Sequence, residues 1–129
     1  MQGCGSGALA SDASATRLAE VAGEIRVYKV TLQPGQRTAL HTHDMAHVTV
    51  PISNGTLQYY DSAGQCCGKY EIKCCEARVL QVKGDRLVMQ NDPSQTFPTT
   101  HAVENVGSSV CEFFFGLTLH SSLLSVENI

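Results

Sequence analysis

The chain is 129 residues long and has no tryptophan, so four Tyr and four Phe must supply every large ring of its core. No apolar run approaches the ~20 residues of a membrane-spanning helix, so no transmembrane helix is expected. The first residues carry neither the charged start nor the apolar stretch of a secretory signal, so a cytoplasmic location is expected. Basic clusters are missing too, and the net charge is −3; together these exclude a nucleic-acid surface. No long amphipathic helix is visible, although residues 16–22 could form a helical turn or two. Internal repeats are absent.

Cysteine is the exception to this scarcity. There are six: Cys4, Cys66, Cys67, Cys74, Cys75 and Cys111. In a secreted chain they would read as a disulfide framework. Without a signal sequence, free thiols in a reducing compartment are expected. The paired cysteines raise the question of zinc. Neighbours on a strand face opposite sides, however, and structural zinc sites use wider spacings. Small residues packed in or beside a hairpin are the expected reading.

The length allows one domain. Residues 1–17 are rich in Gly, Ala and Ser and read as a flexible leader, with a single domain over 18–129. Within that domain short β-rich runs alternate with turn signals. Ile25-Arg26-Val27-Tyr28-Lys29-Val30-Thr31-Leu32 alternates apolar and polar residues, and Pro34-Gly35 turns it. Val48–Ile52, Thr56–Tyr60, Lys69–Lys73, Arg78–Val82, Arg86–Gln90, Ala102–Val106 and Cys111–Leu119 follow. This spacing predicts an all-β sandwich or barrel. The run Phe113-Phe114-Phe115 predicts a buried strand with one ring directed outward.

Four of the five histidines fall in two short segments, His41-Thr42-His43-Asp44-Met45-Ala46-His47 and His101-Ala102-Val103-Glu104-Asn105. Imidazole binds metals as the neutral base, so this grouping suggests a metal site. On a strand, His41 and His43 share a face. His47 has the same parity, but a straight strand would carry it ~13 Å beyond His43, too far for one ion. Asp44-Met45-Ala46 must therefore be a corner, with His47 opening the next strand. The alternative, a helix with a His-x3-His face, is opposed by the β-branched residues and Pro51 that follow. His120 reads as a surface or pocket-rim residue.

These segments resemble the two motifs of the cupin superfamily. Gly35, His41-Thr42-His43, His47 and Gly55 match the first, with His47 in place of its glutamate. His101 and Asn105 match the end of the second, but Pro98 replaces its glycine, Thr96 its proline, and an inserted loop is expected over 91–98. The resemblance implies a double-stranded β-helix, a small jelly-roll barrel with the metal inside its mouth. It implies His41, His43, His47 and His101 as ligands of one divalent ion, iron first, with manganese, nickel, copper or zinc as alternatives. The implied function is a mononuclear metal-dependent enzyme, a dioxygenase in the first instance, acting on a small carboxylate or other chelating metabolite. A non-catalytic binding module and an isomerase or lyase are the alternatives. A homodimer is the expected assembly, with a small-molecule ligand and neither nucleic acid nor membrane as partner. Gln36 and Arg37 could reach the pocket mouth, where an arginine would hold a carboxylate, although a solvated turn fits them equally. Asp44 and Glu104 could orient imidazoles. Tyr28, Tyr59, Tyr60 and Tyr70 could bring hydroxyls to the pocket or pack in the core.

Overall fold

Period-two alternation of inward and outward residues runs through most of the chain. The computed structural model, which describes residues 14–21 and 25–118, turns that alternation into eleven strands and, among the described residues, no helix. The strands are β1 (Ser14–Val21), β2 (Ile25–Leu32), β3 (His41–Thr42), β4 (His47–Pro51), β5 (Gly55–Tyr60), β6 (Cys66–Ile72), β7 (Arg78–Lys83), β8 (Arg86–Met89), β9 (Thr96–Pro98), β10 (Thr100–Asn105) and β11 (Cys111–Thr118). They form a seven-stranded sheet, ordered β1-β2-β11-β4-β7-β8-β9, and a four-stranded sheet, ordered β3-β10-β5-β6. Every pairing within them is antiparallel. Strands distant in sequence sit side by side, as β2 with β11 and β11 with β4. This is the jelly-roll connectivity that the family resemblance implies, within the sandwich or barrel class that the spacing of short strands predicts.

The two sheets share one apolar interior. Leu32, Leu57, Tyr59, Leu80, Leu87, Met89, Phe97, Val103 and Cys111 form a buried cluster contributed by both. The aromatic run of β11 splits by parity as expected, with Phe113 and Phe115 lining an internal cavity and Phe114 on the opposite face. Gly55 is dictated by packing: a Cβ there would lie 2.2 Å from the Sγ of Cys111, which is fully buried. Gly35 turns the chain after β2 with φ of +84°, a conformation L side chains resist. Asn105 ties this end together. Its side-chain amide donates to the carbonyls of Leu32 and Ser109, and its carbonyl accepts from Gly107 N–H.

The structure departs from several expectations. The helical turn over residues 16–22 is strand β1, paired along β2 with one bulge. That strand begins at Ser14, inside the expected leader; residues 1–13, Cys4 among them, lie outside the described residues. The segment 91–98 is not an open loop throughout. Its second half is β9, which pairs with β8 and sends Phe97 into the core. Free thiols are found at Cys67, Cys74 and Cys75, all exposed, and at buried Cys111, whereas Cys66 is disulfide-bonded. Among the described residues no helix is long and apolar enough to cross a membrane.

Candidate metal centre

Register brings the histidines together. The two residues of β3 pair with β10 so that His41 lies directly opposite His101 and Thr42 opposite Thr100. A 2.8 Å contact between the two threonine hydroxyls backs this pairing. One residue on, His43 N–H donates to the Thr99 carbonyl at 2.9 Å, which holds His43 beside the same strand. The centroids of His41, His43 and His101 are 4.7–5.0 Å apart. The chain then bends at Met45, and His47 opens β4 in the other sheet, as the corner argument requires. The helical alternative is excluded by these strands.

Backbone carbonyls set the tautomers. His41 Nδ1 lies 2.8 Å from the Ala39 carbonyl, and His101 Nδ1 lies 2.6 Å from that of Pro98. A carbonyl only accepts, so Nδ1 carries the proton in both rings and Nε2 keeps a free lone pair. One ring nitrogen each from His41, His43 and His101 lies within 4.8 Å of the other two. With metal–nitrogen bonds near 2.1 Å, three ligand atoms around one ion lie at most about 3.6 Å from one another, so side-chain shifts of up to about 0.7 Å close the trio on one ion.

Electrostatics favour the same use. Burial first, then the neighbouring His47, His41 and His101, push the His43 pKa down to about 2. Burial likewise lowers His101 and His47 to about 4, against the opposing effect of the Pro98 and Met45 carbonyls, and it lowers His41. At neutral pH all four rings are uncharged bases, the form that binds a cation.

His47 stands beside the trio. Its ring stacks on His43 at 4.3 Å and on Phe115 at 4.8 Å. Its buried Nδ1 makes no well-formed hydrogen bond among the described residues, although the Met45 carbonyl interacts with the ring closely enough to raise its pKa. A buried polar atom left unpaired is costly, and a metal bond would satisfy it.

The histidines face a cavity of about 440 Å³. Tyr28, Phe113 and Phe115 wall it from the larger sheet, and Leu57, Tyr59 and Val103 from the smaller. Tyr59 stacks on Phe97 at 4.2 Å and meets His101 edge-on at 5.1 Å. Burial raises the Tyr59 pKa to about 12, so its hydroxyl stays protonated. No carboxylate lines the cavity among the described residues; Arg78 is its one permanent charge.

Other expected contributors lie elsewhere. Arg37 does not reach the cavity: it pairs with Glu104 at 3.2 Å and lies 3.6 Å over the Tyr60 ring. Glu104 also accepts from the Tyr60 hydroxyl at 2.6 Å. Gln36 accepts from Gln33 N–H at 2.6 Å. Neither Asp44 nor Glu104 orients an imidazole; the Ala39 and Pro98 carbonyls do so for His41 and His101. Tyr28 and Tyr59 line the cavity, while the Tyr70 hydroxyl donates to the Met89 sulfur at 3.2 Å. No cysteine belongs to a metal-binding group among the described residues. His120 lies outside them. Arg78 was not anticipated, though its parity with Leu80 on β7 places a charge at an inward position.

No protein-family model matches the sequence, and no curated protein does. The architecture, in contrast, is shared with solved structures. A cupin domain from Bordetella pertussis superposes with a TM-score of 0.62 at 18% identity, covering 87% of this chain and 98% of that one. An RmlC-like cupin family protein with a double-stranded β-helix fold from Methanocaldococcus jannaschii gives 0.57 at 13% identity over 88% and 86% of the two chains. A Cupin 2 conserved barrel domain protein from Salinispora arenicola gives 0.53 at 12% identity over 87% and 79%. At these identities the likeness establishes the fold: the chain is a double-stranded β-helix of the cupin type.

Proposed function

We propose that this cupin is a mononuclear metal-dependent enzyme of the dioxygenase type, acting on a small chelating metabolite with an apolar body. The observation that carries the reading is the trio His41, His43 and His101, two of them locked by carbonyls in the ligating tautomer, at an apolar cavity. These three would hold the ion, with His47, whose buried ring stacks on His43, as the fourth ligand. A bound divalent metal, iron(II) foremost, would supply Lewis acidity and exchangeable coordination positions. The protein's part is to orient and to exclude water. Phe115 and Tyr59 pack against the imidazoles, and the apolar wall selects a substrate able to replace water there.

The dioxygenase class is favoured over isomerase or lyase chemistry by what surrounds the cavity. Those reactions need a protein group that moves a proton at neutral pH. Among the described residues the wall offers no carboxylate, its Tyr59 is held protonated near 12, and its histidines are depressed well below neutrality. The first test is elemental analysis of untagged protein purified without chelator, beside a His41→Ala/His101→Ala double variant. About one equivalent of metal, lost in the double variant, is expected. Oxygen uptake by the iron-loaded protein with a panel of small acids, diketones and thiols then tests the reaction class. Stoichiometric metal with no turnover on the panel would favour the binding-module alternative. Absence of metal uptake on titration would end the metal-dependent reading.

A further inference from the structure

The first inward position of β7 holds Arg78, where the following inward residue is Leu80. The side chain lines the cavity, yet the residue is only 6% exposed. Desolvating a guanidinium costs several kcal/mol, so buried arginines ordinarily face a carboxylate. Here the described ion pairs are Lys29–Glu112 and Arg37–Glu104, and neither includes Arg78. Among the described residues one of its five N–H donors is engaged, donating from Nη2 to the Glu71 carbonyl at 3.2 Å. The guanidinium is braced 3.8 Å over the Tyr70 ring, an arrangement that fixes its plane without neutralising it. Burial lowers its pKa, partly offset by Tyr70, Tyr59 and Glu76, the last a carboxylate near enough to be felt that makes no ion pair with it among the described residues.

Position relates this charge to the histidines. Across the β4–β7 ladder, Leu80 faces His47 and Arg78 faces Thr49. Arg78 therefore stands two residues along from the His47 level, about 7 Å in backbone spacing. Thr49, Leu80 and Phe113 line the same cavity.

We propose that Arg78 is the anion-binding end of the pocket and receives the carboxylate of a ligand whose other end lies at the histidines. The ligand class is a monocarboxylic acid with an apolar or aromatic body, its carboxylate on the order of 7 Å or more from the metal-facing group. A lone guanidinium matches a monoanion through a bidentate pair, and the apolar wall matches the body. The location of the ligand's head rests on the proposed metal centre; the role of Arg78 does not.

The test measures binding of 3-phenylpropanoate and its primary amide by calorimetry, with the full chain both metal-stripped and metal-loaded. The wild type is expected to favour the acid at least tenfold in both forms. Arg78→Met should abolish the preference without lowering Tm, since it removes a buried charge that no direct ion pair offsets; Arg78→Lys should keep part of it and controls for folding. Equal binding of acid and amide by the wild type, or binding of neither, overturns the assignment, as does a preference that survives in Arg78→Met. A preference seen only with metal present overturns it as well, because the carboxylate then sits on the ion, and the metal centre stands. An Arg78-dependent preference in a protein that takes up no metal supports the assignment while removing the metalloenzyme reading.

Discussion

A histidine's chemistry here is decided by what its other nitrogen touches. His41 and His101 give Nδ1–H to carbonyls, so Nε2 is left to ligate. His47, in the position where the first cupin motif has glutamate, has a buried Nδ1 that makes no well-formed hydrogen bond among the described residues, though the Met45 carbonyl acts on its ring. Its spacing from His43 was legible, because only a corner between them lets both approach one ion. The two carbonyls were not, since any residue supplies one and only the folded backbone shows which is near. Arg78 lay between: its inward parity could be read, but nothing in the chain says that the opposite wall would lack an acid. If His47 ligates, His47→Ala should weaken divalent-metal affinity at least tenfold, while His47→Glu, which restores an anionic ligand, should strengthen it relative to His47→Ala. Competition titration with a chromogenic chelator gives both numbers. Affinity unchanged in His47→Ala would leave a three-histidine centre with His47 as packing alone.

At the scale of elements, the short strands matter most. Two-residue β3 carries no periodicity that a sequence could display, yet its pairing with β10 puts His41 opposite His101. The long strands β2 and β11 were readable from the apolar–polar alternation of the one and the aromatic run of the other, whose Tyr28, Val30, Phe113 and Phe115 line the cavity. The β8–β9 hairpin was readable only as an insertion. Its functional content is Phe97, stacked on Tyr59, and the Pro98 carbonyl that orients His101. The turn between the strands closes on itself through Gln95 N–H to the Asp92 carbonyl and Ser94 Oγ to Asp92 Oδ1. Phe97→Ala should therefore do two things. Removing a buried ring should cost about 3–5 kcal/mol by denaturant unfolding. Loosening β9 should also weaken metal binding, although Phe97 is no ligand. A stability loss with unaltered metal affinity would show that His101 keeps its orientation without the hairpin.

For the molecule as a whole, the centre is a stored cost that pH exposes. The unfolded chain's histidines titrate near 6.5, whereas in the folded, metal-free protein His47 and His101 are lowered to about 4 and His43 to about 2. Between about 4 and 6.5 the unfolded chain binds protons that the folded chain refuses. Folding stability must then rise with pH across that window and fall as the solution is acidified, each such group contributing a slope of up to ~1.4 kcal/mol per pH unit. The contribution is fully present above 6.5 and is lost progressively toward the folded values. Denaturant midpoints of chelator-treated protein should be level from pH 8 to 7 and should drop from pH 6.5 to 5, and His47→Gln with His101→Gln should flatten the drop. Bound metal should raise the midpoint at every pH by stabilising the folded state, but it also keeps the folded rings unprotonated, so the loaded protein should lose stability on acidification at least as steeply as the stripped one. A midpoint that stays level between pH 6.5 and 5 in the stripped protein would mean that the rings accept protons in the folded state. The interior would then be wetter than its apolar wall implies, and the selection for an apolar-bodied ligand would lose its physical basis.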